Sequence, residues 1–301
     1  MSTPHLQRST LYDVSGQVAL VTGGGSGIGL MMAQGLATNG AKVYIGGRRA
    51  GIVKEAAKSW EGDGKLIPIT LDVTDKESIL AAVSLIEAAD GRLDILINNA
   101  GQVGPKHPFL SASHPSHPTN PKELGLALFN SASLDDWSSV FNANVSSIYF
   151  VTTAFLGLLS VSGKSKQSSG GCASVLNISS ISGTIKVAQN HFAYNSTKAA
   201  TTHLTKLLST EFVRHQLPIR INGLAPGLFP TEMTSREKGA YGAEEAAEYM
   251  GSLHPLWAGR SGRDNEIVAA AMYFASPASY YTTGQVLIVD GGFVAVNPST
   301  E

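Results

Sequence analysis

Residues 18–29 read VALVTGGGSGIG, and this stretch decides the fold. Val18–Thr22 is a short apolar and β-branched run, which is typical of a buried strand. A glycine-rich loop follows, and a helix is predicted from Ile28 to Asn39, ending at Gly40. This context suits a phosphate-binding turn, because backbone N–H groups at a helix N-terminus can face an anion. The residues expected to contact a bound nucleotide are Gly23, Gly25, Ser26, Gly27, Ile28 and Gly29.

The rest of the chain repeats this alternation of strands and helices. The predicted strands are residues 18–22, 42–46, 66–71, 93–97, 174–178, 219–224 and 286–289. Between them the pattern predicts helices, including one after an N-cap at Thr74 and one long or kinked helix over residues 134–159. Such an order is typical of a Rossmann-type α/β fold, a doubly wound, seven-stranded parallel sheet with helices on both faces.

Composition narrows the class of protein. The chain has 301 residues and a net charge of −1, with no basic stripe that would favour nucleic acid. Cys172 is the only cysteine, which excludes an intramolecular disulfide framework and fits a reducing compartment. Residues 1–15 lack the apolar core of a signal peptide, and no apolar run could span a bilayer. We therefore predict a cytoplasmic protein with a flexible segment at residues 1–13 and a single catalytic domain at residues 14–301.

Tyr194 and Lys198 are four residues apart in the run FAYNSTKAA, residues 192–200. On a helix this spacing places both side chains on one face, about one turn apart. A free tyrosine has a pKa near ~10 and is a poor acid at neutral pH. A neighbouring ammonium can supply the roughly 4 kcal/mol needed to lower that pKa to near ~7. The pair is therefore a candidate general acid/base.

The second strand ends in Gly46-Gly47-Arg48-Arg49. An acidic residue at this position would bind a free ribose 2′-hydroxyl, whereas an arginine accommodates a 2′-phosphate. The sequence therefore predicts NADP(H) in preference to NAD(H), with Arg48 the main contact. Arg49 is the second candidate, although it could simply face water.

Several motifs in order resemble those of the short-chain dehydrogenase/reductase family, from about Gly16 to Phe293. Its glycine-loop spacing is matched by TGGGSGIG at residues 22–29. Further matches are LDV at 71–73, NNAG at 98–101, NV at 144–145, NISS at 177–180, PG with Thr231 at 226–231, and DGG at 290–292. The resemblance implies additional cofactor contacts at Asp72, Val73, Asn99, Ala100, Gly101, Pro226, Gly227 and Thr231.

The resemblance also implies a role for each catalytic residue. Tyr194 would donate a proton to a carbonyl oxygen, and Lys198 would lower its pKa and hold the nicotinamide ribose. Ser180 would hydrogen-bond the substrate oxygen, and Asn144 would hold a water that links Lys198 to solvent. The fourteen residues from Ser180 to Tyr194 exceed the usual family spacing by one, so Ser179 or Ser182 stays an alternative.

Two further segments depart from a simple alternation. The stretch between Gly101 and Asn144 is longer than in most members of the family and contains His107, His114 and His117. No cysteine or nearby acid completes a ligand set, so we predict no metal site and interpret the stretch as an extended rim or oligomer contact. Residues 227–255 follow a strand end, where open α/β sheets bind ligands, and are interpreted as a substrate lid. Two interpretations stay open for Met233, Tyr241, Tyr249, Met250 and Leu253 in this lid, which are the lining of an apolar pocket and the ordinary core of a helix at residues 244–250.

The resemblance extends, within the family, to 3-oxoacyl-thioester reductases of the rhamnolipid-pathway type and to fungal ketoreductases. It implies reduction of a small-molecule ketone or 3-oxoacyl carbonyl to a secondary alcohol with NADPH. A sugar, polyol or secondary-alcohol dehydrogenase is the alternative within the family, and a catalytically silent nucleotide-binding protein is the alternative outside enzymes. Relatives associate through the helices that contain residues 134–159 and 194–215, which implies a homotetramer or a homodimer.

Overall fold

A computed structural model of the chain describes residues 3–111, 113–232, 234 and 257–297. It contains seven parallel strands in one sheet. They are β1 Val18–Thr22, β2 Lys42–Gly47, β3 Lys65–Thr70, β4 Ile95–Asn98, β5 Ala173–Ile178, β6 Ile219–Pro226 and β7 Val286–Val289. Their order is β3-β2-β1-β4-β5-β6-β7. The predicted doubly wound sheet is confirmed, with strand limits within about two residues of those predicted.

The helices lie on both faces of this sheet. They are α1 Arg8–Leu11, α2 Gly27–Thr38, α3 Ala50–Lys58, α4 Lys76–Asp90, α5 Pro121–Asn130, α6 Leu134–Phe141, α7 Ser147–Ala154, α8 Leu156–Lys166, α9 Phe192–Arg214, α10 Asp264–Ala275 and α11 Phe293–Val296. One core packs α2, α3 and α10 against the sheet, and the other packs α4, α7, α8 and α9. In β1, Ala19 and Val21 enter the first core while Val18 and Leu20 enter the second. Both faces are buried, which explains the nearly continuous apolar sequence of the central strands.

The strand order reverses between β1 and β4, and this reversal positions the site. In such sheets a crevice opens beyond the carboxyl ends of the strands at the switch point. Here the Thr22 hydroxyl accepts hydrogen bonds from the backbone N–H groups of Asn99 and Ala100, both at 3.0 Å. The segment after β4 is thereby fixed against the end of β1.

Two sequence predictions are refined, and one helix was missed. Thr74 is not the N-cap of α4, because Asp75 accepts from the first-turn N–H groups while the Thr74 hydroxyl donates to Asp72. The helix predicted over residues 134–159 is interrupted by a π-helical turn at Asn142–Ser146 and ends at Ala154, before α8. Helix α5 was not predicted, although Asn120 caps it and Pro121 occupies its first position, which is a helix-start pattern.

Part of the predicted lid, residues 227–255, lies outside the described residues, including Met233, Tyr241, Tyr249, Met250 and Leu253. In the N-terminal segment, residues Pro4–Leu6 form a 3₁₀ turn before α1, and the flexibility of residues 1–13 stays a prediction. Among the described residues no single helix is long and apolar enough to cross a membrane. The bent pair Leu134–Ala154 and Leu156–Lys166 meets that length and composition test only when taken together.

Asp94 is a buried carboxylate that ties the amino end of β4 to its surroundings. It accepts from the backbone N–H of Val18 at 2.7 Å, from Lys166 at 2.8 Å and from Arg92 at 3.1 Å, and also from the hydroxyl of Ser162. Burial by itself would raise its pKa, but the charge of Lys166 and these hydrogen bonds outweigh burial and hold the pKa below its ordinary value.

We expect Asp94→Asn to lower the free energy of unfolding by about 3 kcal/mol at pH 7, because it leaves buried donors and a cation without their acceptor. The stabilisation is present above the unfolded pKa of ~3.9 and is lost as the pH falls through the lower folded pKa. Urea unfolding should be measured from pH 7 down to the lowest pH at which the protein folds. The difference in unfolding free energy between Asp94→Asn and wild type should shrink as the pH falls. Asp63→Asn, at an exposed turn, is the control, and an equal loss in both variants would contradict the assignment.

Candidate active site

One cleft of about 540 Å³ lies at the carboxyl ends of the strands. It brings together all but one of the predicted site residues. Those lining it are Gly23, Gly25, Ser26, Gly27, Ile28, Gly29, Arg48, Arg49, Asp72, Val73, Asn99, Ala100, Gly101, Ser180, Tyr194, Lys198, Pro226, Gly227 and Thr231. Asn144 lies behind the lining.

The glycine loop supplies a surface made of backbone. Helix α2 begins at Gly27, and its N-cap Ser26 makes no side-chain capping hydrogen bond, so the first N–H groups of the helix face the cleft. Gly27 has φ +54°, in the left-handed region. A Cβ on Gly29 would meet the Asn99 amide and the Gly23 carbonyl. The cradle therefore requires glycine and fits a pyrophosphate group.

Beyond the loop, the cleft contains charges of both signs. Arg48 lines the cleft, whereas Arg49 forms an exposed ion pair with Glu232 at 3.0 Å. Asp72 lies nearby; burial raises its pKa, but hydrogen bonds from Thr74 and the charge of Arg48 make the net shift downward. Of the two arginines, Arg48 is therefore the one whose guanidinium is not engaged by a carboxylate of the described chain at ion-pair distance.

Lys198 places a cation inside the cleft wall. The residue is 6% exposed, and its Nζ donates to the carbonyl of Ile178 at 2.9 Å. The same Nζ lies 5.4 Å from the centroid of the Tyr194 ring. Burial lowers the pKa of Lys198 to about 8. The cleft wall therefore holds a buried ammonium beside a phenol ring.

The three candidate serines have different surroundings. Ser180 lines the cleft, and its Oγ accepts from the Ser182 N–H at 3.1 Å. The Ser179 hydroxyl is engaged with the backbone carbonyl of Lys198 at 2.8 Å. The Ser182 hydroxyl contacts Gln189 at 3.2 Å, and Ser182 does not line the cleft. Ser179 also lines the cleft, but its hydroxyl is engaged by Lys198 and Thr202, whereas the Ser180 hydroxyl lies 3.5 Å from the Pro226 carbonyl. The choice of Ser180 as the catalytic serine stays a prediction.

Asn144 anchors the cleft from behind. Its amide Nδ2 donates to the Gln102 carbonyl at 2.9 Å and to the Thr197 hydroxyl at 3.0 Å. Its Oδ1 accepts from the Gln102 N–H at 2.8 Å. The side chain is thus engaged in fastening the segment after β4 to α9, and the predicted role in holding a water stays a prediction.

The geometry agrees with comparisons to known proteins. A family model described as short chain dehydrogenase matches residues 17–241. The chain belongs to the short-chain dehydrogenase/reductase family. Its relatives include the short-chain dehydrogenase/reductase PhomF of Diaporthe leptostromiformis, 36% identical over 99% of this chain and 98% of the relative. Another is the gluconate 5-dehydrogenase of Gluconobacter oxydans, 37% identical over 94% and 96% of the two chains.

Solved structures of this family superpose on the fold. The Pseudomonas aeruginosa RhlG/NADP active-site complex has a TM-score of 0.76 at 30% identity, over 94% of this chain and 98% of the other. The NADPH-dependent 3-quinuclidinone reductase of Rhodotorula rubra has a TM-score of 0.72 at 29% identity, over 98% of both chains. Members of the family use nicotinamide cofactors, which is consistent with the glycine cradle.

Gly183 is a residue of this reductase-family site that sequence reasoning missed. It ends the 3₁₀ turn Ile181–Gly183, which Ser180 caps. A Cβ on Gly183 would lie 2.5 Å from the Lys198 carbonyl carbon and 2.6 Å from the Ala199 nitrogen. Helix α9 therefore contacts this turn through backbone. The glycine three residues after Ser180 is visible in the sequence, but its close approach to the backbone of α9 is not.

We expect Gly183→Ala to force α9 away from the turn and to displace Lys198. The cost in unfolding free energy should be about 1–3 kcal/mol, as for overpacking in a core. Thermal unfolding would measure it, with Gly125→Ala as the control because a Cβ there meets open space. Equal stability of Gly183→Ala and wild type would show that the close approach does not constrain the helix.

Proposed function

We propose that this protein is an NADPH-dependent oxidoreductase that reduces a ketone or 3-oxoacyl carbonyl to a secondary alcohol. The observation that carries the proposal is the buried Lys198 ammonium beside the Tyr194 ring, in the cleft that Ser180 also lines. A tyrosine beside a buried cation is suited to proton transfer at neutral pH. The relative named rhamnolipids biosynthesis 3-oxoacyl-[acyl-carrier-protein] reductase, from Pseudomonas aeruginosa, supports the substrate class at 32% identity over 94% of this chain and 98% of the relative.

In the proposed mechanism the chain moves one proton and stabilises one developing charge. The glycine loop would hold the pyrophosphate of the cofactor, whose nicotinamide would supply the hydride. Tyr194 donates its phenolic proton to the carbonyl oxygen as the hydride reaches the carbonyl carbon. The Ser180 hydroxyl donates a hydrogen bond to that oxygen and stabilises its developing negative charge. Lys198 stabilises the resulting tyrosinate, which then regains a proton from solvent.

We expect Tyr194→Phe to lower kcat by about 10²- to 10⁴-fold, because it removes the proton donor. The Kd for NADPH, measured by fluorescence, should stay close to that of wild type, since the ring is kept. The assay is NADPH oxidation with a panel of ketones, β-ketoesters and ketoses. Tyr281→Phe, at a fully exposed tyrosine, is the matched control. Turnover of a genuine substrate at the same rate in Tyr194→Phe and wild type would refute the mechanism.

The preference for NADPH is proposed from Arg48. A phosphate that accepts charge-assisted hydrogen bonds from a guanidinium gains about 1.5–3 kcal/mol. Two structural relatives, the RhlG/NADP complex and the NADPH-dependent 3-quinuclidinone reductase, support the proposal by the cofactors in their names.

We expect Arg48→Ser to raise the KM for NADPH by roughly 10- to 100-fold, the equivalent of that interaction energy, and to leave the KM for NADH nearly unchanged. Arg49→Ser is the matched control and should have the smaller effect, because Arg49 already pairs with Glu232. Parallel titrations with the two cofactors would measure both values. Equal KM values for NADPH and NADH in wild type would overturn the preference.

A sugar, polyol or secondary-alcohol dehydrogenase is the second candidate. It is favoured by the relatives named gluconate 5-dehydrogenase and galactitol 2-dehydrogenase (L-tagatose-forming), which are 37% and 33% identical to this chain. The same site residues would then act in reverse, with Tyr194 as the base. Comparing the substrate panel above with gluconate and polyols plus NADP or NAD separates the two candidates. A catalytically silent nucleotide-binding protein would bind NADPH but would turn over neither the substrate panel nor gluconate and the polyols.

We also propose that the chain forms a homotetramer or homodimer with second copies of itself. Exposed apolar side chains support this on α7 (Tyr149 and Phe150), on α9 (Leu207) and on β7 (Leu287 and Ile288). The cytoplasmic location predicted from composition stays a prediction.

A further inference from the structure

Residues 102–133 connect β4 to α6, and we call them the 102–133 segment. Within the described part of this segment, His107 is the only buried residue, with 3% of its surface exposed. Polar side chains are rarely buried without a set of partners. Neither the proposed mechanism nor the cofactor site uses this histidine, so its contacts call for another explanation.

One ring nitrogen of His107 connects two parts of the 102–133 segment. Nδ1 lies 2.8 Å from the Ser131 hydroxyl, near the opposite end of the segment. The Ser131 hydroxyl donates its own proton to the Leu128 carbonyl at 2.9 Å. Both hydrogen bonds form together only when Nδ1 carries the proton and donates to Ser131. Burial lowers the pKa of His107 below its ordinary value and so favours the neutral ring.

His107 also contacts the residues at the start of α9 through its backbone N–H and its ring. The backbone N–H of His107 donates to the carbonyl of Asn190 at 2.9 Å. Its ring lies 5.6 Å from the ring of Phe192, with the planes tilted by 55°. These contacts fix the two residues that flank His191, the N-cap of the helix that contains Tyr194.

The turn that His107 contacts adopts an unfavourable backbone. Gln189 has φ 50° and Asn190 has φ 63°, so two successive residues with side chains lie in the left-handed region. Such conformations persist only where surrounding contacts impose them. The hydrogen bond from His107 to Asn190 is one contact of this kind.

The position of this turn is transmitted to the catalytic tyrosine through one residue. The His191 ring makes an edge contact with the Tyr194 ring, with centroids 6.3 Å apart. The carbonyl of His191 also accepts from the N–H of Asn195, in the first turn of α9. A shift of residues 190–192 would therefore move the Tyr194 ring relative to Lys198 and Ser180.

We propose that His107 is a positioning residue for Tyr194. Its ring, held by Ser131 and packed on Phe192, keeps its backbone N–H on the Asn190 carbonyl, and this clamp sets the first turn of α9 at the reactive position. The proposal rests on the proposed function, because it assigns His107 a role in the chemistry of Tyr194. It makes residues far from the cofactor cleft part of the active site.

Two nearly isosteric variants test the clamp. His107→Asn keeps an N–H donor near the position of Nδ1, whereas His107→Leu removes it. We expect His107→Leu to lower kcat by about 10- to 100-fold, as for a misplaced reacting group, with an unchanged Kd for NADPH. His107→Asn should recover most of the lost kcat. His117→Leu, an exposed histidine of the same segment, should match wild type.

Two readouts separate positioning from a general loss of structure. If Tyr194 is misplaced, proton transfer limits the rate more, so the solvent deuterium isotope effect on kcat should rise in His107→Leu. Amide hydrogen exchange should accelerate in residues 188–196 and stay unchanged in β1 and α2. If His107→Leu does not fold, Ser131→Ala removes the acceptor of Nδ1 alone, and the same two changes are expected in milder form.

The outcomes are decisive in both directions. Wild-type kcat together with wild-type exchange at residues 188–196 in His107→Leu would overturn the clamp. A loss of NADPH binding parallel to the loss of kcat, with no recovery in His107→Asn, would also overturn it, because that pattern indicates damage to the whole fold. Exchange needs no substrate, so it tests the clamp even if Tyr194→Phe shows that the proposed function itself is wrong.

Discussion

The buried ammonium of Lys198 is the constraint on which the rest of the site depends. An isolated charge in a protein interior is strongly unfavourable, so its neighbours must supply oxygen acceptors and prevent it from moving. The end of β5 supplies the carbonyl of Ile178, and the Ser179 hydroxyl holds the backbone of Lys198 itself. The absent side chain at Gly183 lets α9 approach closely enough for both contacts. The lowered pKa of Lys198 shows that this compensation is incomplete, and tyrosinate at Tyr194 would add to it.

Local sequence was enough to predict the cofactor half of the cleft. A strand, a glycine loop and a helix start are contiguous, and close backbone approach at Gly29 needs glycine wherever this turn occurs. The doubly wound parallel sheet was predicted as well, because alternating strands and helices permit few topologies, but the order of its strands was not. The choice of Asp75 over Thr74 as N-cap was missed because both residue types cap helices, and the Thr74 hydroxyl is engaged by Asp72 only in the folded chain.

Residues whose roles depend on distant partners could not be assigned in this way. Asn144 was predicted from its motif, but its amide contacts Gln102 and Thr197, which are 42 and 53 residues away in the chain. His107 was weighed as a metal ligand because sequence shows residue type and not surroundings. Its partners Ser131 and Asn190 lie 24 and 83 residues away. The chemistry available to a side chain could therefore be predicted from the sequence. The distant partner that decides which role the side chain takes could not.

The two ends of the cleft are built from different kinds of structure. The nucleotide end uses backbone N–H groups and glycines, which recognise a pyrophosphate whatever the substrate. At the reacting end, Gln102 and the residues after Pro226 line the cleft from connections outside the sheet. Relatives named as a 3-oxoacyl reductase and as a gluconate dehydrogenase cover nearly the whole chain at similar identity. Because such relatives share the fold, differences in substrate have to arise in these connecting segments, and the contacts of His107 indicate that one of them also holds the catalytic helix.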